Sequence, residues 1–232
     1  QLREAFPEAK TKPIVAASII NRLSPEHEAR FRDAGIKSEF LVKVSNTDLT
    51  SAVAQFEIRP AESVDSEIAA YEDNTIHTKE PLMNPRLGVD ILNYIDNCQT
   101  EAESMMTAIS ELIATASSIL VLGTEECMYP ALILGRELEK QFPTINVKCH
   151  ATTRSPIGIC SDPSYPIHLG YKLHSFYEDV RETFIYNLDR YDVVIVLTDT
   201  YSNDLQARAD ISKALRTKGC LKILFVEGGY HV

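Results

Sequence analysis

Three short runs hold most of the polar side chains that could act together. The first is Gly123-Thr124-Glu125-Glu126-Cys127-Met128-Tyr129-Pro130. It follows an apolar run and opens a helical pattern, where free backbone N–H groups attract anions. Two adjacent carboxylates would repel a bare phosphate. Glu125 and Glu126 suit ribose hydroxyls, a cation such as Mg²⁺, or general-base catalysis better, and they are the candidate catalytic pair. Capping and dipole complementarity at the helix start would also use them. The second run is Thr152-Thr153-Arg154-Ser155-Pro156. A guanidinium among three hydroxyls makes an anion clamp, because arginine offers a two-pronged fork and hydroxyls are short donors. The same arginine could instead close a turn by pairing with Glu125 or Glu126. The third run is Asp199-Thr200-Tyr201-Ser202-Asn203-Asp204. Asp199 and Ser202 suit a sugar-phosphate, or the run is a turn with Asp204 as helix cap. Gly123, Thr124, Thr152, Thr153, Arg154, Ser155, Asp199 and Ser202 form the candidate ligand-binding set.

Positioning these runs requires strands that end where they begin. Residues 117–123, 146–152, 192–199 and 221–227 are short apolar runs rich in β-branched residues, the pattern of buried strands. Helical patterns over 130–141 and 204–218 alternate with them, and Gly219 is a candidate stop. The chemistry of the chain predicts an α/β fold with a mainly parallel sheet, Rossmann-like, with helices on both faces. In such sheets, ligands bind beyond the carboxyl ends of the strands, where the three runs fall. Residues 89–115 show helical apolar spacing, and residues 153–190 read as a long polar insert. Upstream, residues 13–20 predict a strand. Ser24-Pro25-Glu26 starts a helix, Gly35 ends it, and residues 39–44 predict another strand. The stretch 45–88 reads as an irregular connector, with one short strand near 53–58.

Composition excludes several classes. The 232 residues are 44% hydrophobic and 24% charged, enough to bury a core. The net charge of −10 resides in residues 44–115, which hold thirteen acids and three bases. With no basic patch, nucleic acid is not an expected partner. No apolar run is long enough for a transmembrane helix, and the first residues lack the order of a signal peptide. Five cysteines without CxxC spacing fit a reducing cytoplasm better than disulfides or zinc. The histidines lack metal-ligand spacing, so no metal ligand set is assigned. Cys127 is a candidate nucleophile, but a buried structural thiol is the commoner state and the favoured reading. Arg86, in Asn84-Pro85-Arg86-Leu87-Gly88, either reaches the strand ends or sits in a linker turn.

The segments VLGTEECMYPALILGRELE and ATTRSPIG, followed by Tyr186-Asn187, resemble the TRSP domain. The resemblance spans about residues 85–232. Such domains lie C-terminal to a phosphoribosyltransferase domain in bacterial tellurite-resistance-type stress operons. Residues 1–58, with VAASIINRLSPEHEARFRDAGI, are similar to the closing strand, helix and strand of that transferase, leaving 59–84 as an acidic linker. The resemblance implies a covalently linked phosphoribosyltransferase domain and a phosphoribosyl or nucleotide-like small-molecule partner. It further implies a phosphoribosyltransferase-like sheet. Mg²⁺ is the expected cofactor, if any, and a homo-oligomer is compatible with it. A looser similarity places residues 193–215 where a transferase carries its diphosphate-sugar loop. There Thr198 replaces one expected acid, and Asp204 replaces a phosphate-contacting glycine. The rival reading is a non-catalytic domain that senses a nucleotide or docks a partner.

Overall fold

The computed structural model describes residues 6–45, 49–64, 74–200 and 205–229. The chain divides into two compact units, residues 1–55 and 56–232. In the first unit, β1 (Ile14–Asn21), α1 (Pro25–Asp33) and β2 (Ile36–Lys43) follow in order. The strands pair in parallel from Ile14↔Ile36 to Asn21↔Lys43. Ser24 caps α1 by accepting the His27 N–H at 3.3 Å. Gly35 ends the turn at φ +66°, where a side chain would be strained. Asn21 is buried, donating to Glu28 at 3.0 Å and accepting from the Leu23 N–H at 2.8 Å. Two strands cannot cover both faces, and Ile19 and Leu41 remain 72% and 82% exposed. The strand suggested by sequence near 53–58 does not form: a helical turn, α2 (Thr50–Val53), ends at its first residue, and 54–58 are turn and irregular backbone.

The second unit is built on a five-stranded parallel sheet of order β4-β10-β9-β5-β6. Its strands are β4 (Asn74–His77), β5 (Ser118–Gly123), β6 (Asn146–Ala151), β9 (Val193–Thr198) and β10 (Lys222–Glu227). A smaller sheet of order β3-β7-β8 joins β3 (Glu62–Ser63), β7 (Gly170–His174) and β8 (Glu182–Tyr186). Residues 59–84, read from sequence as a linker, therefore contribute β3 and β4 to these sheets. The insert 153–190 contains the β7–β8 hairpin.

Strand alternation explains the layers. Ile119, Val121, Val147, Ile195, Leu197 and Leu224 face α3 (Ile91–Ile113) and α4 (Met128–Gln141), where Met105, Ile109, Leu134 and Leu138 meet them. Leu120, Leu122, Val194, Val196 and Phe225 face the other way, onto α5 (Leu205–Thr217) and onto Tyr171, Leu173 and Ile185 of the hairpin. One face thus carries two helices. The other carries one helix and the small sheet, rather than helices alone. Strand β9 is buried at all six positions, as a central parallel strand must be. Truncating Ile195 to alanine there costs about 2–5 kcal/mol.

The order also fixes where a cleft can form. From β5 the chain moves outward to β6, then returns to β9 on the other flank of β5. The loops leaving β5 and β9 therefore lead to helices on opposite faces of the sheet, the arrangement in which ligands bind at the carboxyl ends.

Candidate functional site

Gly123 ends β5, and the loop after it folds back tightly. A Cβ at Gly123 would lie 2.4 Å from the Cys127 carbonyl oxygen, so only glycine fits. The Thr124 N–H extends the β5–β9 ladder by donating to the Leu197 carbonyl at 3.0 Å. The Cys127 N–H closes the turn on the Thr124 carbonyl at 2.8 Å. Glu125 has φ +46°, a left-handed backbone that non-glycine residues seldom adopt. Its N–H donates to the Thr152 hydroxyl at 2.8 Å, and the Thr152 N–H donates to the Gly123 carbonyl at 3.0 Å. Gly123, Thr124 and Thr152 thus tie the β5 and β6 loops together with polar atoms turned inward.

The charged side chains form a continuous chain across this scaffold. Glu125 is buried, and its carboxylate accepts from Ser175 Oγ at 2.5 Å and Arg181 Nη1 at 2.9 Å. Arg154 Nε lies 3.9 Å from the same carboxylate. Glu126 bridges two cations: Arg154 Nη2 meets one oxygen, and Arg86 Nη2 lies 3.3 Å from the other. Arg86 Nη1 continues to Asp199 Oδ2 at 2.8 Å, and its guanidinium lies 4.4 Å over the Tyr177 ring. Tyr177 Oη completes the cluster, donating to Asp199 Oδ1 at 2.6 Å and lying 2.9 Å from Thr124 Oγ1.

The environment decides the charge states. Partial burial works against the charged form of Arg86. Its bond to Asp199 and its contact with Tyr177 outweigh that, so its pKa is raised. Burial, then the nearby Cys127 and the Asp199 carboxylate, push the Tyr177 phenol above its ordinary range, so it remains a donor. Cys127 is 1% exposed, packed beneath the loop, and burial together with Asp199 raises its thiol well above its ordinary value. It is a core residue here, not a ready nucleophile.

The TRSP run turns outward. Thr153 exchanges both backbone bonds with Phe184 of β8, at 2.8 and 2.7 Å. Its hydroxyl accepts the Ser155 N–H at 3.2 Å. Tyr186 Oη braces the turn, donating to the Ser155 carbonyl at 3.0 Å and accepting the Ile157 N–H at 2.6 Å. Arg154 and Ser155 are left exposed. A cavity of about 320 Å³ opens there, lined by Glu125, Glu126, Met128, His150, Thr152, Thr153, Arg154 and Ser155, among others. His150 is oriented by its neighbours: Nδ1 accepts the Ala151 N–H at 2.8 Å, so Nε2 donates to the Tyr186 carbonyl at 2.7 Å.

Most of the candidate residues converge on this crest. Glu125, Glu126, Thr152, Thr153, Arg154 and Ser155 border the cavity. Asp199 joins them through Arg86, while Gly123 and Thr124 act from below. Ser202 and the cap residue Asp204 lie outside the described residues. Sequence reasoning missed Ser175, Tyr177 and Arg181, which arrive from the polar insert, and left Arg86 undecided. The only signal for Arg86 was the Asn84-Pro85 turn, whose Asn84 side chain accepts the Arg86 N–H at 3.0 Å. Among the described residues, no group of three or more His, Cys, Asp or Glu side chains is arranged to hold a metal ion. The three acids of the crest face guanidinium groups instead.

These features define a parallel α/β domain with a charged crest at the divergence of its strands. The sequence profile of the family described as "TRSP domain C terminus to PRTase_2" matches residues 84–215, and the chain belongs to that TRSP family. No curated protein and no solved structure matches the chain. Among the described residues, no helix is long and apolar enough to cross a membrane.

Proposed function

We propose that the second unit binds a phosphorylated ribose or nucleotide-like compound at the carboxyl ends of β5, β6 and β9. One observation carries this reading. Arg154 stands at a hydroxyl-lined cavity with 55% of its side chain exposed, tethered mainly by the partly exposed Glu126. Arg154, Thr153 and Ser155 hold the phosphate. Glu126 turns to the sugar hydroxyls, and Asp199 orders the far side through Arg86. A cavity of about 320 Å³ is at the small end for ligand pockets, which suits a sugar phosphate or mononucleotide better than a dinucleotide. The strand order, with its reversal beside β5, supports a Rossmann-like reading of the sheet.

Binding is favoured over turnover. Glu125 is enclosed between Ser175 and Arg181, and each crest acid is already engaged by a guanidinium. If conversion takes place, Glu126 is the acid with access to solvent. Mg²⁺ enters with the ligand's phosphates rather than at a protein site. Residues 1–58 are the closing strand–helix–strand of a linked phosphoribosyltransferase domain. The exposed Ile19 and Leu41 on its two-stranded sheet suit a sheet that continues into that domain.

The test is thermal unfolding with ribose 5-phosphate, phosphoribosyl diphosphate and nucleoside mono- and triphosphates, each with and without Mg²⁺. A ligand at a hundred times its Kd should raise the midpoint by about 5–10 °C. Arg154→Ala should abolish the rise while folding normally. An unchanged rise in that variant would overturn the assignment.

A further inference from the structure

Glu126 occupies a singular place in the crest. Its two carboxylate oxygens face two different arginines, Arg154 on the cavity side and Arg86 on the Asp199 side. Both cations present Nη2 to it, so it fills the gap between a pair of forks. The Arg86 fork does not depend on Glu126 for its position, whereas the Arg154 side chain is tethered mainly by it. Arg86 is fixed by Asp199 at 2.8 Å and by stacking on Tyr177, and Arg154 rises from a turn braced by Tyr186. Glu126 is also the acid with somewhere to go. Its side chain is 33% exposed, against 1% for Glu125 and 2% for Asp199. It borders the cavity, whereas Arg86 does not.

A phosphate monoester has the same local chemistry with more charge. It offers two oxygens at nearly the carboxylate spacing, a third besides, and close to two negative charges at neutral pH. Partly exposed ion pairs are weak and exchange readily with solvent.

We infer that Glu126 is an internal stand-in for a ligand's terminal phosphate monoester, which displaces it and is gripped between Arg154 and Arg86. This rests on the phosphate-binding reading above and adds Arg86 to the binding set. It assigns Glu126 a competing role in the free protein. Once displaced, the carboxylate swings over the cavity it already borders, within reach of sugar hydroxyls.

The test is calorimetric titration of the full chain with ribose 5-phosphate at pH 7.5, with ribose as the phosphate-free control. Glu126→Gln removes the competing charge at constant shape and should tighten binding roughly tenfold. Glu178→Gln removes an equal charge from the exposed partner of Arg181 and should change affinity less than about twofold. The gain from Glu126→Gln should vanish in an Arg86→Ala background, or in Arg86→Lys if the alanine variant does not fold. Unchanged or weaker binding by Glu126→Gln, beside a wild type that binds, overturns the stand-in and leaves the binding reading intact. An equal gain from Glu178→Gln, or a gain that survives without the Arg86 fork, also overturns it by reducing the effect to bulk charge. If neither wild type nor Glu126→Gln binds, the phosphate reading itself falls.

Discussion

Two arginine–glutamate pairs stand at strand ends of the same sheet, and they are built differently. At β10, Arg208 reaches Glu227 at 2.8 Å, lies 4.2 Å over the Phe225 ring and donates to Thr75 Oγ1 of β4 at 2.5 Å. Both partners are largely buried, at 21% and 5% side-chain exposure. At the β5–β6 loops, Arg154 and Glu126 are 55% and 33% exposed. The first pair fastens the edge strand to its neighbour and is largely closed to solvent. The second borders a cavity and can exchange. The chemistry of an ion pair does not separate a structural role from a binding one; the solvent around it does.

The largest break of this contrast is Arg208→Ala. Among the described residues, it leaves the buried Glu227 carboxylate with only His77 as an ion-pair partner, its Nδ1 3.6 Å away. An uncompensated buried carboxylate should lower unfolding stability by about 3–5 kcal/mol in chemical denaturation, with ribose 5-phosphate affinity little changed. Tyr177→Phe lies between the two cases. It removes the 2.6 Å bond to Asp199 while keeping the ring under Arg86. A loss of about 1–2 kcal/mol is expected, and a loss under 0.5 would mean that Asp199 finds another donor. Smallest is Arg154→Ala in the absence of ligand. Its stability should stay within about 0.5 kcal/mol of wild type, since partly exposed pairs contribute little. A loss above 2 kcal/mol would make Arg154 a second Arg208 and erase the distinction.

The fold was largely legible because its central strands are uninterrupted apolar runs, and the TRSP and Glu125-Glu126 runs stand at their ends. What escaped was whatever depended on distant partners. Asn74–His77 is too short and too close to acidic residues to announce β4, yet Thr75 and Ile76 pair with Phe225 and Val226 across the chain. The insert 153–190 looked polar because its buried residues, Leu173 and Ile185 on one face of a short hairpin and Phe184 and Tyr186 on the other, are outnumbered by the polar loop residues around them. Tyr177 and Arg181 carry no motif, and their roles exist only once that hairpin lies on the sheet. Nor could adjacency tell Glu125 from Glu126. A left-handed backbone at Glu125 sinks the first between Ser175 and Arg181 and leaves the second at the surface.

The bond between Arg86 and Asp199 joins residues 113 positions apart. Closing so long a loop is slow and entropically costly, and it brings no reward until the strands on either side of it are paired. The crest is therefore a product of completed folding rather than a seed for it. A partly folded chain can close the TRSP turn onto β8, some 31 residues away, before it has the second fork. Tight ligand capture would then report that the whole unit has assembled, and the ligand, present during synthesis, would act last, as a lock on the finished domain.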